Sequence, residues 1–169
     1  KDSLISLTND SVHKYSNIHT TVLNNLDPEL VIRYSNKPLI YNGKCKLVMA
    51  HKMYGFPYID EEGKYGISNR DNYVIIDKSL SDLKKLRDFF STKTALYLFE
   101  TTRYRMKYLE KYVFQLIPDI TQIPDFPKVI TDESIAEYFN FDNIDRENIQ
   151  KLHKKDYTFI YWKNYINYI

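Results

Sequence analysis

One stretch, KLVMAHKMYGFPYIDEEGKYGISNRDNYVII from Lys46 to Ile76, limits what this chain can build. Its ends, Lys46–Ala50 and Asn72–Ile76, are apolar and strand-like, and its middle is a chain of turns. Gly55, Gly63 and Gly66, three of the four glycines, lie inside it, and Gly43 lies just upstream. Glycine marks places where the backbone needs positive φ or close approach to another group. Between the turns sit His51, Lys52, Tyr54, Tyr58, Tyr65, Ser68, Asn69 and Arg70, side chains suited to reading polar surfaces. A strand pair carrying a long polar, aromatic connection is a common way to build a recognition surface. The same composition also describes a plain hairpin with a decorated loop.

The flanking patterns predict an α+β fold. Residues 1–26 are rich in Ser, Thr and Asn and fit neither helical nor strand period well, so 1–30 reads as a lead-in segment with room for a short helix. Asp27-Pro28 signals a turn. Val31–Tyr34 and Pro38–Tyr41 read as short strands, and Asn42-Gly43 predicts a hairpin joining Pro38–Tyr41 to Lys46–Ala50. A small antiparallel or mixed sheet is therefore expected over 31–76. Ser79 with Asp82 opens a helical region over 79–100, with Leu80, Leu83, Leu86 and Phe90 at helical spacing. Met106, Leu109, Val113 and Leu116 predict a second helix over 102–117, ended by Pro118. Thr131 and Asp145 are expected to cap short helices, Asp132–Phe139 and Arg146–His153, at a separate end. The aromatic run Tyr157–Ile169 fits strand and helix alike. Residues 31–125 form the expected domain core and 126–169 its C-terminal extension.

With 169 residues, 43% of them hydrophobic, the chain can bury one core. Its sixteen tyrosines supply apolar bodies with polar tips, the chemistry of interfaces. Cys45 is the single cysteine, which excludes an internal disulfide and favours a reducing, intracellular setting, cytoplasmic or nucleoid-associated. No apolar run is long enough to span a membrane, so no membrane partner is expected. The opening KDSLISLTND has neither Met nor a signal pattern and implies a piece of a longer polypeptide. The net charge of +2 hides two blocks. Residues 84–111 hold eight basic groups against three acidic ones, and residues 118–149 hold eight acidic against two basic. A basic patch beside a polar-aromatic loop is the footprint of a nucleic-acid binder, although surface helices are often Lys/Arg-rich without binding anything.

Little in the sequence points to catalysis. There is no Asn/Asp-Pro-Pro-aromatic loop for amine methylation and no Gly-rich strand-to-helix turn for a nucleotide. His13, His19, His51 and His153 lack metal-ligand spacing, and Cys45 has no activating partner. Asp60, Glu62 and Lys64 echo a Mg²⁺-dependent nuclease site, but the run Asp60-Glu61-Glu62-Gly63-Lys64 reads as a turn. No catalytic residue, metal site or cofactor is expected within the chain.

Lys46–Asp125 resembles the target-recognition domain that follows the catalytic domain in TaqI-like adenine-specific DNA methyltransferases. Related restriction-modification fusion enzymes and type I specificity subunits share this scheme. Asn72-Tyr73-Val74-Ile75-Ile76 matches a family strand, and Phe89-Phe90-Ser91-Thr92-Lys93 takes the place of a following helix. Leu116-Ile117-Pro118-Asp119-Ile120 and Ile123-Pro124-Asp125 match the segment that closes the domain. The resemblance implies a module that selects the sequence of double-stranded DNA. Chemistry would belong to an upstream methyltransferase domain holding S-adenosylmethionine and flipping its target base.

On that reading His51, Lys52, Tyr54, Ser68, Asn69 and Arg70 are the candidates for base reading. Lys93, Arg103, Arg105, Lys107 and Lys111 are the candidates for phosphate contact. Two other readings stay open: a protein–protein interaction module with a tyrosine-rich face, and a Mg²⁺-dependent nuclease.

Overall fold

The computed structural model describes residues 4–24, 27–52, 55–103 and 108–151. Among the described residues, five helices and two small sheets make up an α+β fold, as the order of sequence patterns predicts. The first sheet contains β1 (Ile5–Ser6), β2 (Tyr15–Asn24), β3 (Asp27–Ser35) and β6 (Gly66–Ile67) in the order β1-β3-β2-β6. Its pairs are antiparallel except β2 with β6, which is parallel. The second sheet is antiparallel, with β4 (Lys46–Ala50) between β5 (Tyr58–Asp60) and β7 (Asn72–Ile75).

All five residues of β4 are buried, because it is covered on both faces. Leu47 and Met49 join the main core with Leu83, Leu86, Phe89, Phe90, Leu96 and Phe99 of the helices α1 (Leu80–Phe90) and α2 (Lys93–Thr101). Val48 points the other way, to a small core with Ile18 of β2 and Ile67 of β6. Alternation of side chains along a strand produces this division. The main core has the larger apolar area and supplies most of the hydrophobic stabilisation.

The described part of residues 1–30 forms strands and not the expected short helix: it supplies β1, β2 and the start of β3. Their period is illegible because β2 bulges between Ile18 and Thr20 and because two inward positions are polar. Buried Asn17 bonds Ser35 Oγ and the Tyr15 carbonyl, and buried Thr21 exchanges hydrogen bonds with the Phe56 backbone at 2.8 and 2.9 Å. Asp27-Pro28 begins β3 instead of making a turn.

Pro38–Tyr41 is not a strand and does not pair with β4. Residues 39–44 coil into successive turns, Asn42 N–H to Leu39 O and Lys44 N–H to Tyr41 O. The Lys46 ammonium holds them, donating to the carbonyls of Tyr41 and Lys44 and to Asp60 Oδ2 at 2.6 Å. Gly63 (φ +68°) closes against this coil, where a Cβ would meet the Gly43 carbonyl carbon at 2.5 Å.

The region 79–100 is two helices, divided at Ser91-Thr92, with Ser79 and Thr92 as N-caps. Among the described residues of 102–117 no continuous helix runs: α2 ends at Thr101, Tyr108 bridges to Lys52, and Val113–Leu116 forms a turn of helix, α3, while residues 104–107 lie outside the described residues. The Leu109 N–H is taken by His51 O at 2.7 Å, which draws this segment back to the end of β4. Thr131 caps α4 (Asp132–Tyr138) as expected. The last helix, α5 (Asn143–Lys151), starts earlier than predicted, with Asp142 Oδ1 accepting the Asp145 N–H. These helices are not a separate end, since Ile130 and Ile135 belong to the main core. No described helix is long and apolar enough to cross a membrane.

Candidate nucleic-acid interface

The register of the second sheet creates one polar edge. Ala50 pairs with Asn72, so His51 and Lys52 leave β4 where the loop Ser68–Asp71 enters β7. That loop is fastened from beneath. The Ser68 N–H donates to Ile18 O at 3.0 Å, and Ser68 Oγ lies 3.3 Å from both Ile18 O and His19 Nδ1. Asn69 Oδ1 accepts the Asp71 N–H at 3.1 Å, an Asx-turn that sets the loop's curvature. Asn72 Nδ2 donates to the carbonyls of His19 and Asn69, both at 3.0 Å. Gly66, just before the loop, packs so closely that a Cβ would meet Asn17 Oδ1 at 2.3 Å.

Arg70 stands at the tip of this fastened loop. Its side chain is 97% exposed, and its closest ionic neighbour is Asp71 Oδ1, 3.9 Å from Nε. Lys52 is also exposed. The His19 pKa is lowered, first by burial and then by the nearby Arg33 and Lys52 charges, with Asp71 acting in the opposite direction. His19, Arg33, Lys52 and Asp71 therefore share one electrostatic neighbourhood around the loop.

Aromatic packing stiffens the other side of the edge. The His51 ring meets Tyr73 edge-on at 5.5 Å and lies against Tyr108 at 5.0 Å. Tyr73 donates to Leu109 O at 2.8 Å, and burial raises its phenol pKa. His51 is thus a partly buried packing group. Ser68 and Asn69 spend hydrogen-bonding capacity on the loop itself, which leaves Arg70 as the most available reader of the loop. Tyr54 lies outside the described residues.

The described cations of the basic block 84–111 do not form one patch. Lys84 meets Glu61 at 2.9 Å, Arg87 meets Asp88 at 2.8 Å, and Arg103 meets Glu100 at 2.9 Å. The Arg103 pair is largely buried, 15% and 5% exposed, so this guanidinium is committed inward. Lys93 donates to Gln150 Oε1 at 3.2 Å, at the opposite end of α2 from Thr101. Lys111 is exposed and lies two residues from the Leu109–His51 bond, beside the polar edge. Arg105 and Lys107 lie outside the described residues.

Comparison with family models, characterised proteins and solved structures gives no match.

The edge also gathers residues that sequence reading passed over. His19, Arg33 and Asn72 come from β2, β3 and the first position of β7. The β-branched run Ile18-His19-Thr20-Thr21-Val22 was the available signal for β2. Among the described residues no three His, Cys, Asp or Glu side chains group to hold a metal. Asp60, one of the two carboxylates of the nuclease-like triplet, is buried against Lys46 and also accepts the backbone N–H groups of Lys64 and Tyr65, both at 2.9 Å. Its role is turn chemistry.

Proposed function

We propose that this chain is a duplex-DNA recognition module whose reading element is the loop Ser68–Asp71. One observation carries the reading: an almost wholly exposed Arg70 on a loop fixed from below, with Arg33 and Lys52 among the charges acting on the neighbouring His19. A guanidinium held this way can grip guanine O6 and N7 with two parallel hydrogen bonds, worth roughly 1–3 kcal/mol of discrimination. Asp71 beside it can accept from cytosine N4. In this reading Lys52, Arg33 and Lys111 meet phosphates and set the register of the duplex. The resemblance of Lys46–Asp125 to methyltransferase recognition domains supports a wider reading. In it the module serves an S-adenosylmethionine-dependent adenine methyltransferase domain that performs the chemistry.

Binding to duplex DNA is expected at low salt and lost by ~0.3 M salt, because counterion release dominates such affinity. Arg70→Ala should relax or shift the preferred site at one base pair while the protein stays folded. An unchanged site preference, measured by selection from a randomised duplex pool, would remove Arg70 from the reading surface. Salt-insensitive binding to another protein with no duplex affinity would favour the protein-interaction reading instead.

A further inference from the structure

One residue of β2, His19, touches both ends of the loop that carries Arg70. In the register of β2 with β3, Ile18 faces Ile32 and Thr20 faces Val31, so His19 is the extra residue of the bulge. On its other flank β2 pairs with β6 through Asn17 with Gly66 and Ile18 with Ile67. One step further along that parallel register, side chains meet: His19 Nδ1 lies 3.3 Å from Ser68 Oγ. The Ser68 hydroxyl donates to Ile18 O, which leaves its oxygen to accept from Nδ1–H of the ring. At the far end of the loop the His19 carbonyl accepts from Asn72 Nδ2 at 3.0 Å, and Asn72 faces Ala50 of β4. The strand beneath has little slack, since a Cβ on Gly66 would meet Asn17 Oδ1 at 2.3 Å.

We propose that His19 is the positioning residue of the reading loop: its ring holds Ser68, its carbonyl holds Asn72, and the two contacts fix where Arg70 stands against the duplex. The inference rests on the duplex-DNA reading of this edge. Arg70 has little to steady it from its own side chain, which is 97% exposed and 3.9 Å from its nearest carboxylate oxygen. Its reach is therefore set by how the backbone at residues 68–72 is anchored. The Asx-turn from Asn69 Oδ1 to the Asp71 N–H fixes the curvature of the loop but not its place on the sheet. Two parallel hydrogen bonds to guanine demand close alignment, so an unanchored loop loses discrimination before it loses general affinity. Bulges re-aim a side chain out of the regular ladder, and here the re-aimed side chain is the imidazole under the loop.

Selection of the full chain from a randomised duplex pool tests this, with Arg70→Ala marking the base pair that Arg70 reads. His19→Leu should lower discrimination at that same base pair by roughly 3- to 10-fold, the worth of one hydrogen bond, and leave the other positions unchanged. His19→Asn should restore most of the loss, because an Asn amide places a donor where Nδ1 stands. Ser68→Ala removes the same contact from the other side and should act alike; combined with His19→Leu it should add nothing further. That second route keeps the test decisive if His19→Leu does not fold. Loss spread evenly over all positions, no rescue by His19→Asn, or additive losses in the double variant each overturn the positioning role. A wild-type chain with no duplex preference removes the DNA reading and this inference with it. A preference that Arg70→Ala shifts, but that His19→Leu and Ser68→Ala leave intact, overturns this inference alone.

Discussion

Lys46 and Asp60 show how one buried pair organises a polar stretch. Their side chains are 0% and 3% exposed and meet at 2.6 Å. Two carbonyls complete the ammonium's shell and two backbone N–H groups complete the carboxylate's. Desolvation makes such a pair a weak net stabiliser, but removing one partner strands the other without water. Asp60→Ala is expected to cost about 3–5 kcal/mol in urea denaturation, while Lys46→Met combined with Asp60→Leu recovers part of that loss. Arg70→Ala should leave stability within about 0.5 kcal/mol, since an almost wholly exposed side chain has little to lose on truncation. Asp10 offers a titration. The His13 N–H, then the His13 ring and the Val12 N–H, lower its pKa from 3.8 to about 2. A depressed carboxyl pKa stabilises the fold above the unfolded value and loses that contribution as pH falls from about 4 through about 2. NMR titration should place the midpoint near 2, and His13→Ala should raise it only partway, because the backbone donors remain.

Helix boundaries were set by small side chains more than by apolar spacing. Thr92 Oγ1 accepts the Ala95 N–H at 3.1 Å and donates to Phe89 O at 2.7 Å, so one hydroxyl ends α1 and begins α2. Asp132 adds a cap from outside the helix, accepting the N–H groups of Lys93 and Thr94. Thr92→Ala should cost about 0.5–2 kcal/mol in thermal or urea unfolding, the usual range for a lost N-cap. Apolar spacing misled at 102–117, where Leu109 and Val113 are buried but Leu116 is exposed. A helix would need all three on one face. The His51 carbonyl instead takes the Leu109 N–H and keeps the backbone out of helical pairing there.

Across the whole molecule, charge in the sequence and charge in space differ. Lys84, Arg87 and Arg103 find carboxylates, and Lys93 turns to α5. The cations of the proposed DNA edge come from four separate places: Arg33, Lys52, Arg70 and Lys111. Three or four phosphate contacts would give a slope of about −3 in log affinity against log salt. Lys111→Ala should reduce that slope by about 1 and weaken all duplexes alike, while Lys93→Ala should leave it unchanged. Titration of a fluorescent duplex at several salt concentrations measures both.

The sequence by itself determined the strands at Lys46–Ala50 and Asn72–Ile75, the caps Ser79 and Thr131, the α+β class and the turn-rich loop with Arg70. Each of these is a local matter of side-chain period, capping chemistry or glycine tolerance, readable within a few residues. Tertiary structure decided the rest. It drew residues 5–6 and 15–24 into a sheet whose bulge and buried polar groups hide the strand period. It coiled residues 39–44 around a lysine ammonium whose partner lies fourteen positions away. It set His19 beside Ser68–Asp71 through the parallel pairing of β2 with β6. Such contacts join residues far apart along the chain, and their free energy comes from burial and hydrogen bonding that no short window of sequence contains.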